Sequence, residues 1–170
     1  MPSVGHIDRQ KISRQGGPVP VDKDSFDAET DYNNPVIGAT VIEVFRAHGG
    51  EVGGFFTGMP MIVLHHRGAK TGIERESPLV CQVVGDSWAV FASKGGGPSN
   101  PDWYYNLRAN PDCKVEWGTD IFPARARELH GEERLRVWEE QKRLLPGYIP
   151  YEESTRGIRE IPVIVLERQA

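Results

Sequence analysis

Three short apolar runs lie close together in the chain, and only turn residues separate them. Met61-Ile62-Val63-Leu64, Leu79-Val80-Cys81-Gln82-Val83-Val84 and Trp88-Ala89-Val90-Phe91-Ala92 are divided by Gly68-Ala69-Lys70-Thr71-Gly72 and by Gly85-Asp86. Neither gap has room for a helical crossover, and parallel strands need one, so these strands should pair antiparallel. Lys114–Trp117 and Ile121–Leu129 add a hairpin joined at Gly118-Thr119-Asp120, and Ile161–Leu166 reads as a closing strand. About six strands result, and closing them into a small barrel would remove exposed edges.

Three helices flank the strands in this reading. Asn34 is a good N-cap and Pro35 suits the first helical position. Val36, Ile37, Thr40, Val41, Val44 and Phe45 then return to one side at helical spacing, and Gly49-Gly50 ends the run. Asn100-Pro101 repeats the signature and opens a short helix through Ala109. Gly131–Leu145 is the third, with Glu132 and Glu133 in its first turn and Leu135, Trp138 and Leu145 as its apolar side. The expected class is therefore α+β, mainly β. The lack of a βαβαβ rhythm and of GxGxxG between strand and helix argues against a Rossmann fold.

Residues 1–33 differ from the rest. They are rich in Gly, Pro and acids, with too few apolar residues for a stripe, and read as an extended or partly ordered arm. Residues 34–170 read as a single domain. The net charge of −4 supplies no field for gathering nucleic acid, which argues against an oligonucleotide-binding barrel. The amino-terminal stretch lacks the apolar core of a signal peptide, and no run approaches the ~20 apolar residues of a membrane span. A cytoplasmic protein without an integral membrane segment is expected. Cys81 and Cys113 fit no zinc or CxxC spacing and read as reduced structural thiols. His65 and His66, adjacent on a strand, face opposite ways, so no metal site is expected there. Ser93 lacks the GxSxG elbow of a serine hydrolase.

Three segments carry candidate chemistry. Arg67-Gly-Ala-Lys70-Thr71-Gly72-Ile-Glu-Arg75 places three cations on a glycine turn, which suits phosphate: positive charge with converging N–H donors. A solvated basic hairpin, partly neutralised by Glu74 and Glu76, is the alternative. Ala92-Ser93-Lys94-Gly95-Gly96-Gly97-Pro98 ends a strand in glycines, against which a flat ring or a phosphate could lie. An ordinary surface loop is the alternative there. Trp103, Tyr104 and Tyr105 follow on a helix too short to bury all three.

Taken together, GGEVGG, HHRGAKTGIERESPL, FASKGGGPSNPDWYYNLRANP and IPVIVLE, in that order, resemble the deazaflavin-dependent nitroreductase family over about residues 36–168. The resemblance implies a split β-barrel, like that of the FMN-binding split barrels, and coenzyme F-420 as cofactor. It implies that Arg67, Lys70, Thr71, Gly72 and Arg75 hold the cofactor's phosphate and glutamate tail. Pro78 and Ala92, Ser93, Lys94, Gly95 and Gly96 would bracket the deazaflavin ring, with Trp103 and Asn106 supporting that region. The family reduces quinones, nitro compounds and other electron-poor organic molecules. Tyr148 and Tyr151, on what reads as a proline-rich loop, and Ser93 are candidate proton donors to the acceptor. Three alternatives stay open: an FMN-binding relative, a non-catalytic F-420 carrier, and peripheral association with a membrane if the acceptor is a membrane quinone. Barrels of this kind often pair, so a homodimer is a further expectation. Gly95→Val should abolish cofactor binding and leave the apo-protein's thermal midpoint nearly unchanged.

Overall fold

The computed structural model describes residues 31–170. Six strands close into an antiparallel barrel: β1 (Met61–Arg67), β2 (Glu74–Val84), β3 (Ser87–Phe91), β4 (Asp112–Trp117), β5 (Asp120–Glu128) and β6 (Val163–Arg168), in the order β1-β2-β3-β6-β5-β4 with β4 returning to β1. Among the described residues four helices flank it: α1 (Pro35–Ala47), α2 (Asp102–Ala109), α3 (Gly131–Leu144) and α4 (Ile149–Thr155).

Side-chain alternation explains the apolar runs. Ile62 and Leu64 of β1, Val90 of β3 and Ile164 and Leu166 of β6 fill the barrel, and Trp103 and Leu107 of α2 pack into the same cluster. The opposite faces of these strands are also covered. Met61 and Val63 lie under Val41, Val44 and Phe45 of α1, while Ala89, Phe91, Val163 and Val165 lie under Val137 and Trp138 of α3. A strand buried on both faces has no reason to alternate in polarity.

β2 changes partners along its length. Residues 74–80 pair with β1, whereas 81–84 pair with β3. Among the described residues, the edge of β2 away from β1 has no strand beside it from Glu74 to Val80, and this is where the barrel is split. Cys81 N–H donates to Pro60 O, so Cys81 points its backbone groups at β1 and, by alternation, Pro78 and Val80 point theirs at the free edge. Pro78 therefore forfeits no ladder bond.

Several expectations need correction. Among the described residues the helix count is four, because Ile149–Thr155, expected as loop, is helical. Pro150 sits in its first turn, where the missing N–H is harmless. Val36 and Leu135 are exposed, and Ile42 and Val137 take their places in the cores. Asn34 caps α1 as expected, accepting from Val36 N–H at 2.9 Å. Asn100 does not cap α2. Pro101 holds that position without a side-chain bond, and Asn100 accepts from Arg159 instead. Cys81 and Cys113 are free and buried. Of the expected amino-terminal arm, residues 1–30 lie outside the described residues.

Candidate functional site

The split opens into a cleft of about 600 Å³. One wall is the free edge of β2, Ser77 to Val80. The floor is the end of β3 and the loop after it, with Phe91, Ser93, Lys94 and Gly95. Trp103 closes one end, Tyr148 and Tyr151 stand opposite, and Phe55, Phe56 and Met59 complete the apolar side. Tyr32, near the end of the expected arm, also lines the cleft. Its ring stacks on Phe55 at 5.5 Å and meets Phe56 edge-on at 4.7 Å.

The glycine loop is held from below. The Arg159 guanidinium, half-buried, donates to four acceptors: Ala92 O (3.0 Å), Ser93 O (2.8 Å), Gly97 O (3.1 Å) and Asn100 Oδ1 (2.7 Å). Ala92 is 0% exposed, its N–H donates to Pro162 O and its carbonyl accepts from Arg159, so it supports the floor from beneath. Lys94, Gly95 and Gly96 have φ of 47°, 63° and 80°. The left-handed region is costly for a branched side chain, so Gly95→Val would strain the fold itself, contrary to the expectation of an unchanged thermal midpoint. Gly96 faces away from the cleft. A Cβ there would come within 2.4 Å of Ser154 Oγ and 3.2 Å of Tyr151 Cα, so this glycine admits the close approach of α4.

That approach fixes the tyrosine wall. Ser154 Oγ donates to Gly96 O at 2.8 Å, which ties α4 to the loop. Glu152 accepts from Trp138 Nε1 and from Lys142 Nζ (3.0 Å), which ties α4 to α3. Tyr148 packs edge-on against Phe91 (5.7 Å) and Tyr151 (5.2 Å). Burial, with the neighbouring Tyr151, holds the Tyr148 phenol well above its ordinary value, and burial raises Tyr151 too. Both remain protonated donors at neutral pH.

Beyond Ser77 the β2 edge runs into the basic hairpin. Glu76 accepts from Arg46 at 3.0 Å and Glu74 meets His65 Nδ1 at 3.1 Å. Both carboxylates are thereby engaged, and Arg67, Lys70 and Arg75 are exposed and make no salt bridge among the described residues. Arg75 and Ser77 share one face of β2, so Arg75 continues the line of the cleft. Thr71 Oγ1 accepts from Ile73 N–H (3.2 Å) and Gly72 turns at φ 69°. The turn is anchored from inside the barrel, where Asn106 Oδ1 accepts Ala69 N–H at 2.8 Å.

The structure thus brings Pro78, Ser93, Lys94, Gly95, Trp103, Tyr148 and Tyr151 to one cleft. It sets Arg67, Lys70, Thr71, Gly72 and Arg75 beside it on the hairpin, and leaves Ala92, Gly96 and Asn106 as supports. Sequence reasoning missed Arg159, Ser77, Tyr32 and the Phe55-Phe56-Met59 wall. The glycine-rich stretch before Phe55 was the available signal for that wall; Arg159 sits in no motif that marks it.

His65 and His66 do face opposite ways. His65 Nε2 meets Glu116 at 2.7 Å on the outer face, and His66 Nε2 meets Ser77 Oγ at 2.9 Å inside. His65, Glu76 and Glu116 are close enough to share a cation, but Arg46 donates to both carboxylates and occupies that role.

A split barrel with a ring-sized apolar cleft and a basic outlet defines a class of proteins that hold a flat cofactor with an anionic tail. Residues 39–168 match the family model described as F420H(2)-dependent quinone reductase. The chain is 35% identical over 130 residues to an F420H(2)-dependent quinone reductase of Mycobacterium tuberculosis (strain H37Rv), covering 74% of this chain and 86% of that one. A solved F420-H2 dependent reductase (FDR-A) superposes with a TM-score of 0.58 at 39% identity, covering 64% of this chain and 94% of the other. A heme storage protein of Vibrio cholerae, HutZ, shares the fold alone, at 14% identity and a TM-score of 0.51. The chain belongs to the F420H(2)-dependent quinone reductase family, and its cofactor is coenzyme F-420.

Proposed function

We propose that the cleft holds the deazaflavin ring of F-420 between the β2 edge and the Ser93–Gly95 loop, and that the chain reduces a quinone there. The observation that carries the reading is the free β2 edge running from an apolar, ring-sized cleft into a hairpin whose three cations make no salt bridge among the described residues. The ring fits the cleft, and the phosphate and glutamate tail fits Arg67, Lys70 and Arg75 with the Gly68–Gly72 turn. Bound reduced F-420 supplies a hydride, and the quinone takes that hydride and one proton to become the hydroquinone.

The protein orients and encloses the reactants. Phe55, Phe56, Met59 and Tyr32 exclude water from the acceptor side. Tyr148 and Tyr151 face the same space and offer phenolic protons to the oxygen that gains charge. Ser93 lies at the loop beneath. The described residues include no helix long and apolar enough to cross a membrane, and a membrane-borne quinone would reach the cleft from outside. One chain, 39% identical with a TM-score of 0.58, is described as a domain-swapped dimer, which supports a homodimer here. The barrel domain runs from residue 34 in this reading, with the preceding arm leading to the cleft through Tyr32.

Titrating the apo-protein with F-420 and, separately, with FMN tests the reading. Saturable F-420 binding that weakens with added salt is expected; binding of FMN alone would replace it with the FMN alternative.

A further inference from the structure

A chain of hydrogen bonds crosses the open end of the barrel, and its polarity can be worked out from one end. Ala69 N–H can only donate, and it donates to Asn106 Oδ1 at 2.8 Å. The other face of that amide is therefore the NH2 group, and it lies 3.0 Å from His66 Nδ1. Nδ1 must accept, so the proton of the neutral ring sits on Nε2. Nε2–H then donates to Ser77 Oγ at 2.9 Å. Ser77 has thus received a hydrogen bond and has its own O–H to give, and Ser77 lines the cleft. The two side chains that link Ala69 to Ser77 are buried: His66 is 4% exposed and Asn106 7%.

We propose that Ser77 contacts the bound molecule, donating its hydroxyl proton in a hydrogen bond to a conjugated carbonyl oxygen, and that His66 and Asn106 are positioning residues that set this direction. The inference rests on the reading of the cleft as the redox site. Both the deazaflavin ring and a quinone carry such oxygens. A fixed donor gains strength where negative charge develops, because it needs no reorganisation in a site closed to water. The same Asn106 side chain fixes the turn that carries Lys70, so one network sets both the hairpin and the donor. Burial holds His66 down at about 4, with Arg75 opposite on β2 and His65 beside it acting in the same direction and Asp102 of α2 opposing. The ring is neutral at physiological pH, as the relay requires.

Two measurements test this. Long-range 1H–15N NMR of the apo-protein should show His66 as the Nε2–H tautomer, and an Nδ1–H tautomer would overturn the relay whether or not F-420 binds. Wild-type protein that fails to bind F-420 would instead overturn the proposed function. Ser77→Ala should weaken F-420 binding by about fivefold to tenfold if the acceptor oxygen is on the ring, as a single neutral hydrogen bond implies. If the oxygen is on the acceptor, the dissociation constant for F-420 should hold and KM for menadione should rise instead. Ser77→Thr should restore either value, and His66→Gln, which keeps an N–H donor, should fall between. Ser77→Ala with unchanged F-420 affinity and unchanged menadione kinetics would overturn the proposal. If Ser77→Ala does not fold, Ser77→Cys, a weak donor of similar size, is read the same way.

Discussion

The Arg159 guanidinium donates to Ser93 O at 2.8 Å, and its remaining bonds reach Ala92 O, Gly97 O and Asn100 Oδ1. No carboxylate is among these partners, so the cation is spent on shaping the floor of the cleft. Hydrogen bonds from a charged donor are each worth about 1.5–3 kcal/mol, and Lys cannot reproduce the planar fork. Arg159→Ala and Arg159→Lys should both lower unfolding stability by at least about 2 kcal/mol and weaken F-420 binding. Denaturant unfolding and cofactor titration of the two variants check this; a Lys variant equal to wild type would mean that charge alone holds the loop.

Lys70→Ala combined with Arg75→Ala should weaken F-420 binding at least about tenfold, with the larger loss at low salt, since exposed charges are screened at higher ionic strength. Both side chains are exposed and make no salt bridge among the described residues, so the thermal midpoint should hardly move. An unchanged dissociation constant would remove the hairpin from the cofactor site.

The two glycines of the loop should fail differently. Among the described residues Gly95→Ala meets only Asn33 Nδ2, at 3.8 Å, and bears mainly the strain of φ 63°, about 1 kcal/mol. Gly96→Ala adds a 2.4 Å clash with Ser154 Oγ at φ 80° and must push α4 away. Thermal denaturation should rank Gly96→Ala well below Gly95→Ala, and its KM for quinone should rise because Tyr151 moves with α4.

Tyr148→Phe and Tyr151→Phe separate proton donation from packing. A phenol that donates to the reduced oxygen should, on loss of its hydroxyl, lower kcat while F-420 affinity holds, by at most the hundred- to ten-thousandfold range of about 10²–10⁴ for general-acid catalysis. A phenol that only packs should tolerate Phe and raise KM as Ala. Steady-state kinetics of all four variants decides between the two roles at each position.

His66 has a lowered value in the fold, about 4 against 6.5. The unfolded chain therefore binds more protons between those values, and stability should fall as pH drops from about 6.5 toward 4. Above 6.5 the ring is neutral in both states and contributes no slope. In His66→Gln the acid-side loss of stability should be shallower, as measured by urea midpoints across that range.

How much was legible follows from where the signal resides. The antiparallel pairing of β1, β2 and β3 and of β4 with β5 was readable because turns of two to five residues leave such neighbours no alternative, and α1 because Asn34-Pro35 marks its start locally; the pairings β3–β6, β5–β6 and β1–β4 come only with closure of the barrel. The fourth helix was not: Pro146 and Pro150 read as loop residues, and only contacts with Trp138 and Gly96 make a short helix worthwhile there. Val36 and Leu135 fell on the expected apolar sides, yet which positions of a helix meet the barrel depends on its docking angle. In the site, the glycine loop and basic hairpin announce themselves by composition. Arg159 and Ser77 do not, since each acts through a bond to a residue far away in sequence, and only the closed barrel brings those together.

The central claim, a cleft in which reduced F-420 passes a hydride to a quinone, is tested most directly by mixing purified protein with chemically reduced F-420 and menadione under anaerobic conditions and following the return of the oxidised cofactor's visible absorbance. Saturable reoxidation, one cofactor per hydroquinone formed and lost in Lys70→Ala/Arg75→Ala, is the expected result. Tight F-420 binding with no reoxidation above the protein-free rate would contradict it and leave a carrier of the cofactor in its place.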